Sequence, residues 1–99
     1  MVKLKGRNAI VTGAAVGLGS SYAKALAREG VNVAVCDLRE EIHEVAESLR
    51  ALGVNAVSTQ GDVSDPDHVR GVVDGARKQF GRIDILVNNA GVWGASVAD

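Results

Sequence analysis

The sequence predicts an α/β fold in which helices cover both faces of a parallel sheet, with the strands in the order 3-2-1-4. Short apolar runs suited to buried strands alternate with segments whose apolar residues recur every three or four positions, as in helices. A glycine follows each helical segment, and a glycine-rich stretch joins the first strand to the first helix. Strands that alternate with helices pair in parallel through right-handed crossovers, which favours this strand order.

Four strands and three helices follow from these patterns. The strands are predicted at residues 8–12, 32–37, 54–60 and 83–88. The helices are predicted at residues 18–29, 40–52 and 66–80, the last with Asp65 as N-cap and Pro66 in its first turn. Each helix has a face that is expected to pack on the sheet. In the first helix this face consists of Leu18, Tyr22, Leu26 and the alanines 23, 25 and 27. In the second it consists of Ile42, Val45, Ala46 and Leu49, and in the third of Val69, Val72, Val73, Ala76 and Phe80.

The fourth strand is nearly all apolar, so it is expected to be central and buried on both faces. Few residues follow it, and a long apolar edge invites pairing with another chain. We therefore hypothesise that residues 1–99 are the N-terminal part of a longer protein, truncated after strand four. Alone, the segment is expected to be marginally stable or to self-associate. A solvated fourth strand in a compact monomer would remove the main support for this hypothesis.

The segment 12–19 (TGAAVGLG) has the properties of a phosphate site. It precedes a helix, whose first N–H groups have no intrahelical partner and favour an anion by about 0.3–1 kcal/mol. Gly13 lets the main chain leave the strand, Gly17 keeps side chains away from a diphosphate, and Gly19 permits close packing. If only the three glycines are considered, a tight turn between two packed elements is the alternative to a phosphate site. A Walker-type loop is excluded because no lysine follows Gly17 or Gly19.

Asp37 ends the second strand, eighteen residues after Gly19. An acid about twenty residues beyond such a turn can accept hydrogen bonds from a ribose 2′-hydroxyl. It also repels a 2′-phosphate, so we expect NAD to be preferred over NADP by about tenfold to a hundredfold. Val16 and Leu38 offer no cation for a 2′-phosphate, although Arg39 lies close by. The alternative role for Asp37 is a cap of the second helix.

Two further motifs follow strands three and four. Asp62-Val63 could meet an adenine, but Gly61-Asp62 is common turn chemistry, and the sequence alone favours a turn. The segment 88–91 (NNAG) combines small residues with amides that can bond orphan backbone groups or a ligand. For Asn88, structural and binding roles are equally supported, whereas binding is favoured for Asn89.

Together these motifs resemble those of the short-chain dehydrogenase/reductase family, and the resemblance extends over residues 5–91, including GRIDILV at 81–87. It implies a Rossmann-type nucleotide-binding domain and a parent enzyme that transfers hydride between NAD(H) and an alcohol or ketone. It also implies that Gly13, Gly17 and Gly19 surround the diphosphate with Leu18 beside them. The other implied cofactor-binding residues are Asp37 and Leu38 at the adenosine ribose, Asp62 and Val63 at the adenine, and Asn89, Ala90 and Gly91 at the middle of the cofactor. Thr12 and Asn88 would mainly brace the sheet.

The family's catalytic Asn, Ser and Tyr-x-x-x-Lys follow the NNAG segment, and none of them can be placed in these 99 residues. The single tyrosine, Tyr22, has Leu26 rather than a lysine four residues later. His43 and His68 are expected on solvated faces, and Cys36 in the core. No metal-ligand spacing is present. We therefore expect the segment alone to be inactive.

Composition limits the partners and the cellular location that we expect for this chain. A net charge of −1 gives no reason to expect nucleic acid or a membrane surface as partner. A single cysteine fits a reducing compartment, so we expect a cytoplasmic protein, and the family resemblance implies a homo-oligomer. The alternative function is a non-catalytic dinucleotide-binding or interaction module. A methyltransferase with a similar fold is less consistent, because the NNAG segment is foreign to that class.

Overall fold

The computed structural model describes residues 3–89 as a four-stranded parallel sheet with helices on both faces. The strands are β1 (Asn8–Thr12), β2 (Asn32–Asp37), β3 (Ala56–Gln60) and β4 (Ile85–Asn88). They lie in the order β3-β2-β1-β4, and every neighbouring pair is parallel. The helices are α1 (Gly17–Arg28), α2 (Ile42–Ala51) and α3 (Pro66–Phe80). The predicted fold class and strand order are confirmed, and β1 and β2 begin and end where predicted.

Each face of the sheet has its own core. β1 sends Ala9 and Val11 to the face covered by α1 and α2, and Ile10 to the face covered by α3. On the first face α2 buries all four of its predicted core residues: Ile42, Val45, Ala46 and Leu49. On the second face α3 lies over β1 and β2 and buries only Val72 and Ala76. The α3 face is therefore the less completely covered one. Within residues 3–89 no helix is long and apolar enough to cross a membrane.

Helix α1 packs on the sheet through small side chains. Its buried face consists of three residues spaced by four: Gly19, Ala23 and Ala27. The predicted core face of this helix was wrong at three exposed positions: Leu18, Tyr22 and Ala25. The reason is the close approach at the start of the helix, where a Cβ on Gly19 would overlap the carbonyl oxygen of Gly13. A helix rotated to bury Leu18 would lose this approach.

Strand β4 is only half-buried, which corrects the prediction of burial on both faces. Ile85 and Val87 pack against the core under α1 and α2, whereas Leu86 is 65% exposed. On the Leu86 side, α3 lies over β1 and β2, and Val69 of α3, also predicted to be buried, is 39% exposed. Among the described strands β4 pairs with β1 alone, so it is an edge strand here. This arrangement does not decide whether residues 1–99 belong to a longer protein, and that hypothesis stays a prediction.

Asparagine side chains tie together the amino ends of the strands. The buried Asn8 donates its Nδ2–H to the carbonyl oxygen of Arg82 over 2.8 Å and accepts at Oδ1 from Asn32 over 3.0 Å. Asn32 in turn accepts the backbone N–H of Asn55 over 3.0 Å. Asp84 accepts the backbone N–H of Asn8, also over 3.0 Å. These bonds hold the strands in register, so their carboxyl ends meet at one edge of the sheet.

Candidate functional site

A cleft of about 330 Å³ opens at the carboxyl ends of β1, β2 and β3. Its lining residues end or follow these strands: Gly13, Asp37, Leu38, Gly61, Asp62, Val63 and Ser64. Ligands of parallel α/β sheets bind beyond these strand ends, and the volume is at the lower limit for small-molecule sites. The fold therefore brings predicted site residues from three separate motifs into one cleft. A second groove, of about 310 Å³, lies between α3 and the strands β2 and β3 and contains none of the predicted site residues.

The glycine turn enters α1 without a capping side chain. Gly13 and Gly17 both have φ of +62°, a conformation that favours glycine. Val16 is the N-cap residue and makes no side-chain cap bond, and the first helical turn contains no acidic residue. Within residues 3–89, the N–H groups at the start of α1 therefore have no capping side-chain acceptor, and no acidic residue of the first turn neutralises the positive end of the helix dipole. This arrangement can hold an anion.

Asp37 connects the glycine turn to the end of β2. Its Oδ2 accepts the backbone N–H of Ala15 over 3.1 Å, and its Oδ1 accepts the backbone N–H of Arg39 over 2.9 Å. Two backbone donors, one from each side, fix the orientation of the carboxylate. Helix α2 begins at Ile42, with Glu41 as its N-cap residue. Asp37 therefore does not cap α2, and the alternative role suggested by its position is not observed.

Exposed apolar side chains accompany these polar groups. Three of them are Val16 and Leu18 in the glycine turn and Leu38 after β2. Leu38 is 64% exposed and lines the cleft directly beside Asp37. Apolar surface grouped around a polar cleft is typical of a binding site rather than of a solvated face. Neither Val16 nor Leu38 carries a charge that would attract a phosphate.

Asp62 is both a turn residue and part of the cleft. Its Oδ1 accepts the backbone N–H and the hydroxyl of Ser64, each over 2.8 Å. These two bonds, the backbone bond first, lower the pKa of Asp62 below its ordinary value, and His68 acts in the same direction. The turn expected from Gly61-Asp62 is therefore present, and it leaves Asp62 and Val63 lining the cleft.

His68 was predicted on a solvated face, and this prediction was wrong. Its ring packs so closely on Gly61 that a Cβ on that glycine would overlap the imidazole. Its Nε2 is buried and has no hydrogen-bond partner within residues 3–89. The first turn of α3 therefore packs on the loop that follows β3. The spacing of residues in the sequence does not predict this contact. His43 is exposed as predicted, with Nδ1 lying 2.7 Å from the hydroxyl of Ser58.

The end of β4 fixes the other side of the glycine turn. The hydroxyl of Thr12 donates to Oδ1 of Asn88 over 2.9 Å and accepts the backbone N–H of Asn89 over 2.9 Å. The side-chain amide of Asn89 donates to the carbonyl oxygen of Gly13 over 3.2 Å. The ends of β1 and β4 therefore brace the turn. Ala90 and Gly91, also predicted to bind cofactor, lie outside the described residues.

The remaining candidate side chains do not form a reactive centre. Cys36 is buried as predicted, and burial, reinforced by the charge of Asp37, raises the pKa of its thiol to about 11. The thiol therefore stays protonated near neutral pH. Tyr22 is 42% exposed on α1, outside the cleft lining. Within residues 3–89, no three His, Cys, Asp or Glu side chains group as metal ligands would.

Comparisons with known proteins agree on one family. The family profile described as short chain dehydrogenase matches residues 7–99. Among curated proteins, an uncharacterized oxidoreductase of Methylorubrum extorquens is 45% identical over 95 residues, covering 94% of this chain and 38% of its own length. The oxidoreductase UcpA of Escherichia coli is 42% identical over 92 residues, covering 93% of this chain and 35% of its own length. The chain thus spans little more than a third of these relatives.

Solved structures share the fold. An NAD+-bound xylitol dehydrogenase superposes with a TM-score of 0.86 at 40% identity, covering 95% of this chain and 36% of that protein. The L-sorbose reductase of Gluconobacter frateurii, complexed with NADPH and L-sorbose, superposes with a TM-score of 0.84 at 36% identity. The match covers 92% of this chain and 36% of that protein. One neighbour therefore holds NAD+ and the other NADPH. The likeness supports a nicotinamide cofactor without distinguishing the two.

Proposed function

The chain belongs to the short chain dehydrogenase family, and from that premise we propose that it forms the cofactor-binding half of an NAD(H)-dependent oxidoreductase. The parent enzyme would transfer hydride between the nicotinamide and an alcohol or ketone. The relatives are more than twice as long as this chain, so the catalytic Ser and Tyr-x-x-x-Lys of the family belong, in this proposal, to a C-terminal half. The substrate pocket belongs there too.

The link between Asp37 and the glycine turn carries the proposal. A diphosphate needs free N–H groups at a helix start, and the uncapped α1 offers them. A ribose needs an acceptor at a fixed distance from that diphosphate. Asp37 lies at such a distance, because the backbone N–H of Ala15, in the glycine turn itself, holds its carboxylate. Gly13 of the turn and Asp37 line the same cleft, which supports placing the diphosphate and the ribose side by side.

The other cleft residues fit the rest of a dinucleotide. Asp62 and Val63 would lie at the adenine, with the carboxylate accepting from the exocyclic amino group. Leu38, 64% exposed, would pack beside the adenosine. Asn89 is placed by Thr12 and Gly13 next to the turn, where it would meet the middle of the cofactor. Ala90 and Gly91 complete this set in the proposal.

The residues of this chain bind and orient rather than react. The bound nicotinamide would supply the hydride acceptor or donor. This half of the protein holds the diphosphate at α1 and fixes the adenosine at Asp37, so that the rest of the cofactor is directed past the end of β4. Because Cys36 stays protonated and Tyr22 lies outside the cleft, neither is assigned a catalytic role.

Charge favours NAD over NADP in this proposal. A 2′-phosphate would approach the Asp37 carboxylate, and two like charges about 4 Å apart repel by roughly 4 kcal/mol at a surface-like dielectric before salt screening. Val16 and Leu38 supply no opposing charge. The backbone N–H of Arg39 bonds Asp37, and an Arg39 guanidinium directed at the 2′-phosphate would weaken the preference.

Calorimetric titration of the 99-residue chain with NAD, NADP and S-adenosylmethionine tests the proposal. We expect NAD to bind tightest, NADP about tenfold to a hundredfold more weakly, and S-adenosylmethionine not at all. Addition of an alcohol should give no turnover, because the catalytic residues are not in this segment. Turnover in a longer form that carries Tyr-x-x-x-Lys supports the enzyme, whereas its absence there favours a non-catalytic binding module. Tight S-adenosylmethionine binding without NAD binding would contradict both.

A further inference from the structure

The carboxylate of Asp62 is held by a single neighbour, Ser64. Both hydrogen bonds to its Oδ1, from the backbone N–H and from the hydroxyl of Ser64, measure 2.8 Å. Within residues 3–89, no hydrogen bond reaches the other oxygen, Oδ2. The carboxylate therefore has one saturated oxygen and one that can accept from a ligand.

The loop that carries this pair is fixed from a second side. The ring of His68 packs on Gly61, directly before Asp62. The carbonyl oxygen of Asp62 accepts the backbone N–H of Asp65, the N-cap residue of α3, over 3.0 Å. The main chain is thus placed without any contribution from the Ser64 hydroxyl. The hydroxyl adds a second hydrogen bond to the Oδ1 that the backbone N–H of Ser64 already holds, and this bond further restricts rotation of the Asp62 side chain.

We propose that Ser64 is a positioning residue that sets adenine selectivity, by clamping one oxygen of Asp62 so that the other accepts from the adenine amino group. The inference rests on the proposed function, because it takes the cleft to be the adenosine end of a dinucleotide site. An amino group at position 6 can donate to a carboxylate. The 6-oxo group of hypoxanthine is an acceptor and cannot. A fixed carboxylate therefore discriminates between the two bases, whereas a freely rotating one discriminates less.

The test compares NAD with its hypoxanthine analogue, nicotinamide hypoxanthine dinucleotide, on the full 99-residue chain. We expect Ser64→Ala to weaken NAD binding about three- to tenfold, which is the range that loss of one typical hydrogen bond gives, and to leave binding of the analogue nearly unchanged. Ser64→Thr, which keeps the hydroxyl, should restore the preference for NAD. Ser48→Ala is the matched control, because Ser48 is an exposed serine on α2 whose hydroxyl donates to the carbonyl oxygen of Glu44.

The outcomes separate the two proposals. If the unaltered chain binds NAD and Ser64→Ala keeps the same ratio of NAD to analogue affinity, the role of Ser64 is wrong while the proposed function stands. An equal loss for both ligands, or failure of Ser64→Thr to restore the ratio, also overturns the positioning role. If the unaltered chain binds neither dinucleotide, the proposed function is wrong and the inference is wrong with it. Far-ultraviolet circular dichroism on each variant confirms that it is folded.

Discussion

The backbone N–H of Ala15 donates to Oδ2 of Asp37 over 3.1 Å, so the glycine turn after β1 and the acid at the end of β2 form one unit. Ala15 and Asp37 are 22 residues apart in the chain. In the proposed function this bond bears on cofactor choice, because it holds the Asp37 carboxylate beside the turn that would bind the diphosphate.

The first prediction concerns the variant Asp37→Ala combined with Leu38→Arg. We expect it to bind NADP more tightly than NAD, because the repulsion of a 2′-phosphate is removed and a cation is added. Affinity for NAD should fall about tenfold, since the acceptor for the ribose is lost. Isothermal titration with both cofactors measures the change. The control is Asp74→Ala, which removes an exposed carboxylate on α3. Unchanged selectivity in the double variant would count against Asp37 as the determinant.

The second prediction uses the same substitution in two helices. Gly19→Ala should destabilise the chain by about 1–3 kcal/mol, because the new Cβ overlaps the backbone carbonyl of Gly13 and neither group can move aside. Gly75→Ala should instead stabilise it by about 0.5–1 kcal/mol, since a Cβ there has nothing within 4 Å and alanine is the better helix former. Urea unfolding gives both values. If the two variants shift stability in the same direction, the packing account of Gly19 is wrong.

The third prediction is a pH dependence at the opposite end of the sheet. The backbone N–H of Asn8, together with Arg82 and Arg7, lowers the pKa of Asp84 below its ordinary 3.8. The stabilisation is therefore complete above pH 3.8 and is lost as the pH falls through the lowered folded-state value. Asp84→Asn should be less stable than the unaltered chain at pH 7, and this difference should shrink below pH 4. Urea midpoints at several pH values test this, with Asp74→Asn as control. A difference that stays constant across the acid range would contradict it.

The fourth prediction concerns Leu86 on the edge strand β4. Leu86 is 65% exposed, and within residues 3–89 one edge of β4 has no strand paired to it. We expect the chain to self-associate through this strand and Leu86→Lys to raise the monomer fraction, since a charge on an exposed edge discourages pairing. Sedimentation velocity over a range of concentrations measures it. Leu52→Lys, at a leucine that is 43% exposed after α2, is the control. An unaltered chain that sediments as a monomer throughout would refute the prediction.

The bounds of β1 and β2 and the strand order were predictable from the sequence because they depend on local patterns, whereas β3 and β4 each begin two residues later than predicted. The apolar runs of β1 and β2 are bounded by polar residues and glycines, and these limits match the structure at both ends. The order follows from the alternation of strands with helices. The start of α3 was also predictable from the sequence. Asp65 is its N-cap residue, and its side chain accepts the backbone N–H of Asp67.

Other features depend on contacts between distant residues, and the sequence pattern does not encode them. Hydrophobic spacing favoured Leu18 and Tyr22 as the buried face of α1, but the close approach of Gly19 to Gly13 sets the rotation of that helix. His68 was taken for a surface residue because the packing of its ring on Gly61 is a tertiary contact. The clamp of Ser64 on Asp62 depends on side-chain torsion angles. In each case a packing contact or a single hydrogen bond decides between arrangements that share the same sequence pattern.

A crystal structure of the chain with NAD bound tests the central claim most directly. We expect the diphosphate to lie at the glycine turn, with its oxygens about 2.7–3.2 Å from the backbone nitrogens at the start of α1, and the adenosine ribose to donate to Asp37. A turn filled by side chains of the chain itself, or a dinucleotide bound elsewhere with the turn empty, would contradict the account.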